Sequence, residues 1–370
     1  MTREQLERAL RQAEPPDAGP ARERARRTVL AAHAAHRSRR RVRRAVPLVW
    51  AALAAILAAL VVTQRDSGPA QAVERLVRDI VREPKPAPRP AAALPASGRL
   101  LVSGPNGLYA VSASRKVALG RYADATWSPR GLFVGATDGR RLVALNPATG
   151  AVRWRLTPGS DVGLPRWAPD GLHIAYRADR SLRIVYGNGE HDVLAGRSMA
   201  AVAPAWRPTT PRTVAWAATD GTVTVEDADT AKVLRTYRSG GVLHLAWSAD
   251  GRKLLVAARR HGTIHDYATG TRTRLDLDGD LLAAAYGRRG LALAVKRGTR
   301  TEIRLRGTVL FSAAGRIDDL AFSPDGRWLL VGDARTGQWL LARAAGQASV
   351  STLDVERPFG EGARTHGWCC

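Results

Sequence analysis

The stretch Leu320–Val331, LAFSPDGRWLLV, reads as a strand, a tight turn and a second strand. Ser323-Pro324-Asp325-Gly326 is the turn. Proline presets φ at the second position, aspartate tolerates the corner, and Gly326 takes positive φ without steric cost. Phe322 before the turn and Trp328-Leu329-Leu330-Val331 after it are β-prone side chains that bury well. The unit recurs upstream as WSPRG at 127–131, WAPDG at 167–171 and WSADG at 247–251. Two divergent copies, WRPTTP at 206–211 and YGRRG at 286–290, fill the gaps. The leading aromatics are Trp127, Trp167, Trp206, Trp247, Tyr286 and Phe322, spaced by 40, 39, 41, 39 and 36 residues. A fixed period of ~40–45 residues made of short strands marks a β-propeller, one four-stranded blade per repeat.

The two ends of the repeat region complete the count. Arg99–Val102 and Leu108–Val111 are strands around the turn Gly104-Pro105-Asn106-Gly107, and Val117–Leu119 is a third. This first blade lacks its innermost strand. At the far end Ser349–Val355 alternates like a strand, and ARTHGWCC at 363–370 follows a glycine-rich loop. Trp368 lies 46 residues after Phe322, near the phase of a seventh aromatic. The expectation is that the last strand completes the first blade and closes a seven-bladed ring, abolishing the open edge. Six blades plus a loose hairpin is the alternative.

Upstream, residues 1–45 form a basic, helix-forming tail with 13 arginines and 5 acidic residues. Leu6 and Leu10 share one face of its first helix, Pro15-Pro16 breaks it, and RSRRRVRR at 37–44 ends it. Residues 46–63, VPLVWAALAAILAALVVT, carry no charge. As a helix this run is about 27 Å long, close to the ~30 Å hydrocarbon core of a bilayer. The arginine cluster ahead of it places the N-terminus in the cytoplasm and the propeller outside, at the cell membrane. A cleaved signal peptide is the competitor, but its charged region is normally far shorter. Residues 64–97 are a stalk. Val73, Leu76, Val77 and Ile80 form a helical stripe, which suits the membrane surface, a second copy or the propeller's side. PKPAPRPAAALP at 84–95 is a semi-rigid spacer. The propeller occupies 98–370.

The turns followed by runs such as KLLVAA and RWLLVG resemble the TolB and WD40-like bacterial propeller families. VTVEDADTAKVLRTY at 223–237 is similar to a WD40 outer hairpin, with Glu226-Asp227 in place of the Trp-Asp signature. ALNPATGAVRW at 144–154 is similar to repeats of quinoprotein-type propellers. The resemblance covers residues 98–370 and implies a binding platform. It carries no catalytic residue onto this chain, because one propeller fold hosts enzymes, scaffolds and receptors.

Net charge is +24, of which the propeller holds 38 basic against 24 acidic residues. A genome-wide arginine bias explains this spread, and affinity for wall polymer or lipid headgroups is the sharper reading. Nucleic acid is not expected, because no basic stripe is interleaved with aromatics. No Gly-x-Ser-x-Gly elbow or second α/β domain supports a serine hydrolase. Asp276, Asp278 and Asp280 in DLDGD fall short of a calcium loop, since Gly279 comes too early and no twelfth-position carboxylate follows. His33 and His36 make an HxxH without a cysteine partner. No metal or cofactor is expected. Cys369 and Cys370 are a disulfide candidate with three readings: a vicinal pair, a bond to a second copy, or free thiols at a strand end.

Three residues sit three positions before a repeat aromatic: Asp124, His244 and Asp319. Strand alternation puts them on the face opposite that aromatic, near the channel mouth. They are the candidate binding residues. The function expected is non-catalytic binding of a protein, peptide or polymer at the cell envelope by a membrane-anchored propeller, with a homodimer as a further partner. Two alternatives are an anti-sigma-like transmembrane regulator with the propeller as sensor, and an enzyme with its active site in the channel.

Overall fold

The computed structural model describes Leu94 and residues 97–315, 317, 319–333, 338–344 and 349–370. The basic tail, the apolar run at 46–63 and nearly all of the stalk lie outside the described residues. Among those described, no helix is long and apolar enough to cross a membrane.

The chain forms seven four-stranded antiparallel sheets. Blades 2 to 7 follow one another at residues 124–156, 162–197, 205–238, 244–276, 280–314 and 319–354. In each, the strand that opens the repeat is innermost and its successors step outward. Blade 1 is assembled from both ends, in the order Arg364–Cys369, Arg99–Gly104, Gly107–Val111, Lys116–Gly120. The inner strands contact one another around the whole ring, including Arg364–Cys369 against the inner strands of blades 7 and 2. Seven blades therefore replace the alternative of six and a loose hairpin.

The closing strand explains why Trp368 keeps the repeat phase. Leu100 faces Trp368 and Leu101 faces Gly367, but Val102 faces Thr365. The register slips by one and leaves His366 as an extra, unpaired residue, a β-bulge. Gly367 permits it with φ of 129°.

The repeat turns are held as their sequence dictates. Ser323 Oγ accepts from the Trp328 amide at 2.9 Å, Asp325 accepts from the Arg327 amide at 3.0 Å, and Gly326 has φ of 68°. Ser248 and Asp250 repeat the arrangement in blade 5. Two blades depart from the pattern. In blade 4 the inner strand shrinks to Ala205–Trp206, because Pro204 has no N–H to give the ladder. In blade 6 the strands pair to Gly287 and Gly290, which places Tyr286 inside its strand.

The core lies between blades. Seven apolar clusters are found among the described residues, one at each blade interface. At each, valine, leucine and alanine from the second and third strands meet an aromatic of the neighbouring blade. Two of the repeat indoles also reach across: Trp206 Nε1 donates to the Arg166 carbonyl at 2.8 Å, and Trp247 Nε1 to the Ala205 carbonyl at 3.1 Å. Each acceptor is the residue just before the preceding blade's aromatic.

Candidate axial ligand site

The inner strands of blades 2, 5 and 7 each run from the third residue before the aromatic to the aromatic itself, and all seven inner strands point the same way along the axis. Residues of that register therefore collect at one end of the ring. There they line a cavity of about 440 Å³. Asp124, His244 and Asp319 all border it, as do Ala283 and Thr365 of the same register in blades 6 and 1. The structure thus brings together the three residues singled out from the sequence.

Three further residues of the cavity are not found by counting. Arg166 enters because the inner strand of blade 3, Val162–Trp167, is bulged between Gly163 and Arg166. Leu164 there has φ of 55°, a left-handed conformation uncommon for a branched side chain. The amide freed by the bulge donates to Asp124 Oδ2 at 3.1 Å, so the strained turn is tied to blade 2. His366 enters through the bulge of the closing strand, and Arg364 precedes it at the rim. Pro165 and Gly367 are the sequence signals of these two bulges.

Asp124 is the hub. Its Oδ1 accepts from the Ala125 amide at 2.8 Å and lies 3.1 Å from His366 Nδ1. The Arg166 guanidinium is 4.0 Å away. Burial by itself raises the carboxyl's proton affinity. The His366 hydrogen bond and the Arg166 and His366 charges outweigh it and hold Asp124 below the usual carboxylate range. Across the cavity, the Thr365 amide donates to Asp319 Oδ2 at 2.9 Å. Burial pushes the His244 imidazole below its ordinary value, so it is neutral at neutral pH. Arg364 is exposed and, among the described residues, has no hydrogen-bond or ion-pair partner.

His366 Nε2 lies 2.7 Å from Ser103 Oγ. By atom type, Asp124–His366–Ser103 matches an orienter, base and nucleophile. Its direction is reversed, however. Asp124 and His366 border the cavity, whereas Ser103 does not. Ser103 is half-buried on the neighbouring strand of blade 1. The chain of contacts joins both inner strands of blade 1 to blade 2.

The remaining motifs resolve into local structure. Asp278 pairs with Arg304 at 2.7 Å, and Asp280 with Arg259 and Arg260 at 2.9 and 2.8 Å. Cys369 and Cys370 are joined to each other, with Cα atoms 3.7 Å apart. Their sulfurs lie beside the Ser128 and Pro129 carbonyls of the first repeat turn.

Residues 306–338 match the family model "WD domain, G-beta repeat". The match runs from the outer strand of blade 6 through the first two strands of blade 7. No curated protein matches the sequence. Among solved structures, the chain is similar to the hydrazine synthase of Kuenenia stuttgartiensis, with TM-score 0.49 and 14% identity over 60% of this chain and 76% of that one. The protein is a seven-bladed β-propeller that contains a WD40-type repeat.

Proposed function

We propose that this protein is a non-catalytic, membrane-anchored binding platform of the cell envelope, and that its ligand docks an acidic group at the axial cavity. The observation that carries the reading is the convergence of the register residues on one cavity with a cation, Arg364, left without a partner at its rim. Asp124 is already engaged by His366 and Arg166, and Asp319 accepts from the Thr365 amide, which leaves Arg364 as the cation at the rim open to a ligand. A carboxylate or phosphate of a protein or polymer ligand complements it. The apolar run at 46–63 behind the arginine cluster supports a single-pass anchor with the propeller outside.

The test uses the full-length chain in intact cells. A photo-crosslinking residue at position 284, on the cavity wall, is expected to trap one discrete partner. Arg364→Glu and, separately, His244→Ala are expected to lose it. The same adducts from position 235, on an outer strand, overturn the site. With tags at both ends, added protease is expected to remove the C-terminal tag alone, and a protected C-terminal tag overturns the orientation.

A second reading is an anti-sigma-like regulator that signals inward. The arginine-rich tail of 45 residues ahead of the apolar run favours it. Recovery of one cytoplasmic partner through residues 1–45 supports that reading, and recovery of none removes it.

A further inference from the structure

At the other end of the same strands lies a larger cavity, of about 900 Å³, shared by blades 2, 3 and 4. It is bordered by Phe133, Leu172 and Arg212 ahead of second strands, by the turns at Asn188 and Asp229 between third and fourth strands, and by Trp154 on the outer strand of blade 2. It is therefore separate from the axial site and opens on the opposite face of the ring.

Its wall is aromatic. Phe133 and Trp167 lie nearly parallel, 15° apart with ring centroids at 6.3 Å. Trp154 and Tyr186 continue the surface. Trp154 Nε1 donates to the Gly187 carbonyl at 2.8 Å, and Trp167 Nε1 to the Gly171 carbonyl at 2.9 Å. Both indole donors are consumed internally, so only carbon faces and edges remain for a ligand. Leu172, 63% exposed, and Tyr186, 44% exposed, leave apolar area open to water at the mouth.

The polar groups decide what goes with an apolar ligand. Asp229 is the carboxylate of the wall, and it is spent. His173 Nε2 lies 3.2 Å from its Oδ1, and Arg212 Nε 3.0 Å from its Oδ2. Arg153, also on the wall and exposed, has no hydrogen-bond or ion-pair partner among the described residues. The site combines aromatic surface with an uncompensated cation.

We infer that this cavity binds an acidic peptide segment of a partner protein, with one aromatic side chain seated against Trp154, Trp167 and Phe133 and a flanking carboxylate on Arg153. Large aromatic side chains and arginine are the usual energetic anchors of protein contacts. Carboxylates meet guanidinium groups with charge-assisted hydrogen bonds. A volume near 900 Å³ lies at the upper end of the ~300–1,000 Å³ typical of ligand clefts and leaves room for residues on both sides of the anchor. The inference does not rest on the axial site, and the two fail separately.

The test measures fluorescence anisotropy of a dye-labelled peptide, Gly-Glu-Trp-Glu-Gly amide, with the purified full-length chain in detergent. Saturable binding below about 1 mM is expected, weakening with added salt. Arg153→Glu and, separately, Leu172→Ser are each expected to weaken it by roughly tenfold or more, since both positions are exposed and their loss leaves the core intact. Arg289→Glu, exposed in the turn of blade 6, is expected to change nothing. Replacing the peptide's tryptophan by alanine, or its glutamates by lysines, is expected to abolish binding. No saturation, equal binding of the alanine or lysine peptide, or indifference to Arg153→Glu overturns the inference.

Discussion

Replacing Glu226 by glutamine should make the propeller more stable at pH 8 and leave it nearly unchanged at pH 5. Glu226 is on the third strand of blade 4, Thr222–Asp227, where the chain carries Glu-Asp instead of Trp-Asp. The side chain is 2% exposed and its Oε1 has no hydrogen-bond partner. Burial pushes the carboxyl from 4.5 up to about 7, and the nearby Trp216 indole offsets this only in part. The sign follows from which state holds the proton. Between pH 4.5 and 7 the folded chain keeps a proton that the unfolded chain has released. Stability is therefore intact below the unfolded value and falls as pH rises through the folded one. Each tenfold change in proton affinity is worth about 1.4 kcal/mol, so the full loss is about 3 kcal/mol above neutrality. Glutamine cannot ionise, and any fixed cost of its amide is the same at both pH values. Urea unfolding followed by tryptophan fluorescence at pH 5 and pH 8 isolates the titration as a difference of differences. A benefit of about 2–3 kcal/mol at pH 8 relative to pH 5 is the expected result. An equal effect at both values would show that the carboxylate is well solvated or hydrogen-bonded in the folded state, and the reasoning would be wrong.

Three further outcomes are expected. Trp368→Ala, which empties a buried ring position opposite Leu100, should cost about 3–5 kcal/mol in urea unfolding, and an unchanged midpoint would mean that the closing strand is dispensable. Gly196→Ala should destabilise by about 1–3 kcal/mol, because the added Cβ would lie 2.5 Å from Trp216 Cζ2; wild-type stability would mean that the ring moves aside freely. Asp124→Asn should loosen the closing strand, costing about 1.5–3 kcal/mol at pH 7 and raising amide exchange across Arg364–Cys369. Because the Asp124 carboxyl is held below its ordinary 3.8, its stabilisation is present above that pH and fades as pH falls through the lowered folded value; a cost that grows on acidification would contradict this.

The repeat turns announce the architecture because each fixes a backbone corner and starts a buried strand. Their spacing alone locates six blades. Trp368 gives the seventh because the bulge beside it is taken up within the strand, and the aromatic still faces Leu100. Asp124, His244 and Asp319 are legible for the same reason: alternation is reliable over three residues of a regular strand. Arg166 and His366 are not, since a bulge inserts a residue and turns the next side chain to the other face. Leu164-Pro165 and His366-Gly367 mark these places only after the ladder is known. The aromatic cavity escapes counting altogether. Its residues come from turns and strands of three blades, and nothing local distinguishes Phe133 or Leu172 from other residues that follow a repeat turn.

The way blade 1 is assembled also sets a clock. Thr365 hydrogen-bonds the Leu101 carbonyl across 264 residues of sequence. At translation rates of about 5–20 residues per second, the Arg99–Gly104 strand waits roughly 13–50 s for its partner. During that interval its edge is unpaired and offers a template to any extended segment nearby. A neighbouring nascent chain carrying the same closing strand is one such segment. Polysome density and growth temperature should therefore control how much of the protein emerges as strand-exchanged pairs, while the stability of the finished ring has no bearing on it.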